Sequence, residues 1–218
     1  MTNPEYLADL SVQDRLQLGT TLAHLQREFV GRFDEETIEH FVVDSFRRLA
    51  STAKVHDFLG VLSERFARER LSAMLDTERG ADTPPSVLFL CVHNAGRSQM
   101  AAGFLRTSAH DGIRVYTGGS EPGSELNPVV VEAMAEVGID ISEEFPKPWT
   151  EEVVRAVDVI VAMGCGDVCP VYPGTRRVEW DLDDPEGQPI EVVRRIRDAI
   201  KGHVDGLAQE LLEQKGGS

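Results

Sequence analysis

The sequence predicts an α/β domain with a four-stranded parallel sheet flanked by helices, preceded by an all-α three-helix bundle. Three observations carry this. From residue 86 onward short apolar runs alternate with helical patterns, whereas before residue 80 only helical spacing recurs. Between them, Thr77-Glu-Arg-Gly-Ala-Asp-Thr-Pro-Pro85 is rich in chain breakers and reads as a connector. The expected organisation is a bundle over 1–80, a linker over 81–85 and an α/β domain over 86–218.

In the first part, Leu18, Leu22, Leu25 and Phe29 recur at helical spacing. Ile38, Phe41, Val42, Phe46 and Leu49 form a second stripe, and Val55, Phe58, Leu59, Leu62 and Phe66 a third. Asp34-Glu35-Glu36 suits an acidic first turn of the middle helix. In the second part, Val87–Leu90, Ile113–Thr117, Val157–Met163 and Arg177–Trp180 read as strands. Gln99 to Ser108, Pro128 to Val137 and Ile190 to Leu212 read as helices, the second with proline in its first turn. Strands alternating with helices imply a parallel sheet whose ligands bind at the carboxyl ends of the strands.

Composition narrows the class of protein. A formal net charge of −15 is a poor match to nucleic acid, and residues 1–84 alone hold 15 acidic against 10 basic side chains. No apolar run reaches the roughly 20 residues of a membrane helix, and the first residues lack the pattern of a secretory signal. Three cysteines, all in the second half, suit reduced or redox-cycling thiols better than a disulfide framework. A cytoplasmic location is expected. Apolar positions left over on the helix faces of the first part lead to the expectation of a homodimer formed through that bundle.

The densest chemistry lies in Cys91-Val92-His93-Asn94-Ala95-Gly96-Arg97-Ser98, between a strand and a helix. A turn entering a helix points successive backbone N–H groups inward, and the helix N-terminus adds partial positive charge. Arg97 offers a planar fork of donors matched to a tetrahedral oxyanion. The same field favours thiolate over thiol at Cys91, and Ser98 can donate to the sulfur. The whole loop, Val92 through Ser98, is therefore the expected binding site for a tetrahedral anion, with Cys91 as nucleophile. Asn94 is expected to bond the loop's own backbone, and His93 either to touch the substrate or to lie at the rim facing solvent. A buried core cysteine is the bland alternative for Cys91; it accounts neither for Arg97 nor for the polar residues between.

Two further groups belong with it. Met163-Gly-Cys165-Gly-Asp-Val-Cys169 follows a strand, which brings Cys165 and Cys169 to the same sheet edge. They read as a resolving pair for an oxidisable Cys91, as zinc ligands, or as inert thiols; no second Cys or His pair lies nearby to complete a zinc site. Trp180-Asp-Leu-Asp-Asp-Pro185 supplies carboxylates. An Asp before Pro is often only a turn residue. Displacing an oxygen from a tetrahedral anion needs a proton donor, and Asp184 is preferred to Asp183 and Asp181 for that role.

Cys91 through Ser98, followed by Asp184-Pro185, resembles the low-molecular-weight protein tyrosine phosphatase superfamily. Asn94–Ala101, Tyr116–Gly119, Gly138–Ser142, Trp180–Pro185 and the pair Cys165/Cys169 make residues 86 to 213 similar to thioredoxin-coupled arsenate reductases built on that fold. The resemblance implies that Cys91 attacks arsenate held by Arg97 and the loop, and that Asp184 protonates the leaving hydroxide. It implies that Cys165 then displaces arsenite to give a Cys91–Cys165 disulfide, and that Cys169 moves the disulfide outward for thioredoxin. Mycothiol is the alternative reductant, since some actinobacterial relatives use it. Some relatives also hold potassium beside the loop. Here Ala102 and Lys147 stand at the acidic positions, so neither metal nor other cofactor is expected, with the Lys147 ammonium taking the cation's place.

Two other activities compete. A tyrosine phosphatase would use the same loop and acid, but Glu186-Gly187 follow Asp184-Pro185 where such enzymes carry aromatic residues. A non-catalytic arsenite or metal sensor using the three thiols would leave Arg97 and Asp184 idle.

Overall fold

A computed structural model of the chain describes residues 10–53, 58–77, 83–164 and 172–216. The chain divides into two compact units, residues 1–75 and 76–218.

The first unit contains α1 (Val12–Glu28), α2 (Glu35–Ala50) and most of α3 (Leu59–Asp76). Local chemistry sets the starts. The Ser11 hydroxyl accepts from the Asp14 N–H, and the Asp34 carboxylate accepts from the Thr37 N–H at 2.7 Å. Each thereby satisfies a donor that the first helical turn leaves unpaired. Leu18, Leu25, Ile38, Val42, Phe46, Leu59, Phe66 and Leu71 form the interior. The third stripe differs from the expected one. Phe58 precedes the helix and is 69% exposed, Leu62 is half-buried, and Val55 lies outside the described residues. The buried face of α3 keeps the expected Leu59 and Phe66 and adds Gly60, Ser63, Ala67 and Arg70. Gly60 lies against Gln17, and its carbonyl accepts from the Thr21 hydroxyl. Small residues there let the helices approach beside the buried Leu59, Phe66 and Leu71. Val12, Leu16 and Val61 are also exposed.

Arg70 is the unexpected member of that interior. Its guanidinium bonds the Ser45 hydroxyl at 2.9 Å, pairs with Asp44 at 2.7 Å, and lies 4.7 Å from the centre of the Phe41 ring. A buried cation needs such partners.

The second unit begins at Asp76, whose carboxylate accepts from the Tyr116 hydroxyl at 2.9 Å and pairs with Arg114. Its sheet has the order β2-β1-β3-β4, all parallel: β1 (Ser86–Cys91), β2 (Arg114–Gly119), β3 (Val159–Met163) and β4 (Arg176–Glu179). The register pairs Cys91 with Gly119 on one side and with Met163 on the other. Three strand ends therefore meet at one edge. The helices are α4 (Arg97–Ala109), α5 (Pro128–Ala135), α6 (Glu151–Ala156) and α7 (Ile190–Gly216). Val87, Phe89, Val159 and Val161 pack with α4, α5 and α7 in one core. Leu88, Leu90 and Ile160 are also buried, as expected of parallel strands covered on both faces.

Two departures concern this unit. Residues 151–156, preceded by Thr150 as N-cap, form α6 where the sequence reading placed nothing, and β3 starts at Val159 rather than Val157. The last strand ends at Glu179. Trp180 leaves it to pack between Phe89, 5.7 Å away, and His203, 5.0 Å away. A 3-10 turn, His110–Gly112, joins α4 to β2.

Burial alone would raise the Asp44 carboxyl, but hydrogen bonds and charge from Arg48 and Arg70 overcome it and hold the group below its ordinary value of 3.8. A lowered carboxyl contributes stability above its unfolded value, and that contribution is lost as pH falls through the folded value. The thermal midpoint of the full chain should therefore fall steeply below about pH 4, and less steeply in Asp44→Asn. Equal acid slopes for the two proteins would show that the pair carries no such linkage.

Candidate active site

The loop after β1 is built by pointing its carbonyls outward. The Cys91 carbonyl accepts from the Ser120 N–H, that of Val92 from Glu121 at 2.9 Å, that of His93 from Gly123 at 2.9 Å, and that of Ala95 from Asn127 at 3.0 Å. In a trans peptide the N–H points opposite to the C=O. The N–H groups of residues 92, 93, 94 and 96 are thus turned toward the inside of the loop. One of them identifies what lies there: the Asn94 N–H donates to Cys91 Sγ at 3.2 Å. Ser98 Oγ sits 3.0 Å from the same sulfur. Cys91 itself is buried at the end of β1, and Arg97 opens α4.

Asn94 holds the loop in shape, though not as expected. It takes a positive φ of 50°, and its side chain reaches other groups than the loop backbone. Its Nδ2 donates to Ser98 Oγ at 2.8 Å, and its Oδ1 accepts from the Lys147 N–H at 3.0 Å and from Gln99 Nε2. Loop backbone is bonded by Gln99 instead, whose Nε2 donates to the Asn94 carbonyl at 3.0 Å. No local pattern announces Gln99; it lies in the first turn of α4 and its role shows only in its contacts with the Asn94 and Phe145 carbonyls. His93 is exposed, with its ring Nδ1 3.0 Å from the Glu121 carbonyl, so it does stand at the rim. Gly119 explains the close fit of β2. A Cβ there would come within 2.7 Å of the Val92 carbonyl and 3.1 Å of Asn94 Cβ.

Across the hollow lies the Trp180–Pro185 segment. Asp184 Oδ2 pairs with Arg97 Nη2 at 2.5 Å, and Arg97 Nη1 donates to the Leu182 carbonyl at 3.3 Å. The other carboxylate oxygen of Asp184 accepts from the Glu186 N–H at 3.0 Å. Pro185 rests on Gly96, where a Cβ would be only 2.9 Å from the proline ring, and its carbonyl accepts from Asn127 Nδ2. Cys91, Arg97, Asp184, Pro185 and Glu186 line the resulting hollow, which retains about 10 Å³, the room of one water. The Asp184 carboxylate thus occupies the donors that an incoming oxyanion would use. Of the three carboxylates in this segment, it is Asp184 that pairs with Arg97. Cys165 and Cys169 lie outside the described residues, which end at Gly164, the residue after β3, and resume at Tyr172.

Residues 86–216 match the family described as low molecular weight phosphotyrosine protein phosphatase. The chain belongs to that family. Residues 18–75 match a second model, described as the protein-tyrosine-phosphatase-like N-terminal domain. Within the family the chain is similar to the thioredoxin-dependent arsenate reductase of Corynebacterium glutamicum, with a TM-score of 0.82 and 40% identity, covering 90% of this chain and 97% of that one. It is 37% identical over 135 residues to a putative arsenate reductase of Halobacterium salinarum, covering 60% of this chain and 95% of that protein. A low molecular weight protein tyrosine phosphatase from T. tengcongensis is more distant, at 26% identity and a TM-score of 0.53, covering 58% of this chain and 99% of that one. The four-stranded parallel sheet with flanking helices is the fold of this family, and helices α1–α3 precede it.

The close contacts make the loop sensitive to small additions. Gly119→Ala should lower stability by about 1–3 kcal/mol, because the obstructing atom is backbone and cannot swing aside. Chemical denaturation checks this; an unchanged midpoint would show that the loop has room to give.

Proposed function

We propose that the chain reduces arsenate to arsenite in a three-cysteine cycle regenerated by thioredoxin, and so serves arsenic detoxification. The similarity to the thioredoxin-dependent arsenate reductase of C. glutamicum carries this reading, because it runs through 90% of the chain, N-terminal helices included. The geometry around Cys91 supports it. Arsenate enters the loop and takes Arg97 from Asp184. Loop N–H groups and the guanidinium hold its oxygens, and the Cys91 thiolate attacks arsenic. Asp184, released from the ion pair, takes up a proton from the incoming arsenate and passes it to the departing hydroxyl. Cys165 sulfur then attacks Cys91 sulfur. The sulfur–arsenic bond breaks with its electron pair passing to arsenic, arsenite leaves, and the two thiols are oxidised to a disulfide. Cys169 attacks Cys165, and thioredoxin reduces the Cys165–Cys169 disulfide. Three reduced thiols at rest suit a cytoplasmic setting.

No bound cation is needed in this cycle. Ala102 and Lys147 stand where some relatives carry acidic ligands for potassium. Lys147 is buried, with its Nζ 5.0 Å from the centre of the Phe145 ring. A buried ammonium does not fit a cation-binding donor set. Mycothiol is the alternative donor.

Phosphotyrosine hydrolysis is the second reading, favoured by the family match over residues 86–216. The loop would bind phosphate in the same way. Against it, Glu186 at the mouth of the hollow offers no aromatic wall to a phenyl ring.

Coupled NADPH oxidation with thioredoxin, its reductase and arsenate, set beside hydrolysis of p-nitrophenyl phosphate, separates the readings. Cys91→Ser should abolish both activities. Cys165→Ser and Cys169→Ser should abolish only the first, and Asp184→Asn should slow it by about 10²–10⁴-fold. Absence of arsenate-dependent oxidation in the unaltered protein, or full activity of Cys165→Ser with thioredoxin, would contradict the proposal. Activity of Cys165→Ser with mycothiol would assign the other donor.

A further inference from the structure

Gly164 stands immediately after β3 and immediately before Cys165. It has a φ of +76°, which favours glycine. A turn with that backbone is reason enough for glycine, but a second observation is independent of it. A Cβ built on Gly164 would lie 3.0 Å from Arg97 Nη1, 3.8 Å from Cζ and 3.9 Å from Nη2. The guanidinium therefore lies close over this residue, and a Cβ there would press on Nη1 and require it to give by a few tenths of an ångström. Nor can the guanidinium yield freely. Its Nη1 is bonded to the Leu182 carbonyl, its Nη2 to Asp184, and its side chain is only 8% exposed.

We propose that Gly164 is a positioning residue for oxyanion binding: its missing side chain is what allows the Arg97 guanidinium to lie within reach of the Cys91 loop. This rests on the anion-binding reading given above. The physical reason is the narrowness of the donor geometry. A guanidinium grips a tetrahedral anion through two parallel N–H bonds, and a displacement of a few tenths of an ångström misaligns both. The floor under Arg97 is supplied by β3, the strand paired with β1 on the side opposite β2. The loop and the arginine are thus referenced to one another through adjacent strand ends.

The test uses the full, reduced chain and inorganic phosphate as the probe. Cys91 is alkylated with iodoacetamide over a range of phosphate concentrations. Labelling is read at the peptide containing Cys91, so that Cys165 and Cys169 do not confuse it. Two variants are compared with the unaltered protein. Gly164→Ala adds a Cβ and strains the backbone; Gly164→Asn adds a Cβ at a residue type that tolerates positive φ. Each should raise the half-protecting phosphate concentration about tenfold, the effect of losing one charge-assisted hydrogen bond. Gly164→Asn should do so while keeping a thermal midpoint closer to that of the unaltered chain. Protection by Gly164→Asn equal to that of the unaltered protein would overturn the positioning role, leaving only a turn that needs positive φ. Failure of phosphate to protect Cys91 in the unaltered protein would overturn the anion-binding reading itself, and this role with it.

Discussion

The site depends on one backbone constraint: the carbonyls after β1 are bonded on their outer side by N–H groups of residues 120–127. Because each peptide unit is rigid, fixing its oxygen fixes its hydrogen on the opposite side. A ring of inward donors results, without any side chain being spent on it. Such donors need no reorganisation when charge arrives, which is why preorganised amides bind anions and stabilise transition states effectively. Asn94, Gln99 and Gly119 serve this constraint. The first two hold the loop from beneath, and the third lets β2 come close enough to be its outer wall.

The second determinant is competition for Arg97. The guanidinium is satisfied by Asp184 and by the Leu182 carbonyl. A buried arginine without a counter-ion would be costly, and this pairing offsets that cost. On the proposed cycle the pairing also links binding to chemistry, since the anion that claims Arg97 is what frees the carboxylate to carry a proton. Contacts of Pro185 with Gly96 and Asn127 keep the acid over the hollow during that exchange. The chain's net charge of −15 does not oppose it, because exposed charges are largely screened beyond about 8 Å whereas the donors of the loop touch the anion directly.

Much of this was legible from residue order. Cys91 to Ser98 has a dense local signal, because a nucleophile, a guanidinium and a helix start must fall at fixed spacing to converge. Strands β1 and β3 are legible as apolar runs, since both faces of the sheet's centre are buried. What was hidden depends on contacts distant in sequence. The sequence points the Asn94 amide at loop backbone, but it reaches Ser98, Gln99 and the Lys147 N–H, the last 53 residues away. Gln99 looked like an ordinary first-turn residue. Helix α6 is only six residues long, too short for a periodic signal. In the third N-terminal stripe Leu59 and Phe66 are buried, whereas Phe58 is exposed and the small residues Gly60, Ser63 and Ala67, which carry no hydrophobic signal, face inward. Arg70 in the core was illegible for a similar reason, since its partners Asp44 and Ser45 lie on another helix.

The most direct measurement is a crystal structure of the reduced protein soaked in phosphate. The account predicts phosphorus facing Cys91 Sγ, oxygens bonded to the inward N–H groups of the loop and to Arg97, and Asp184 withdrawn from the guanidinium. Phosphate bound elsewhere, with Asp184 still paired to Arg97 and the loop holding no anion, would contradict it.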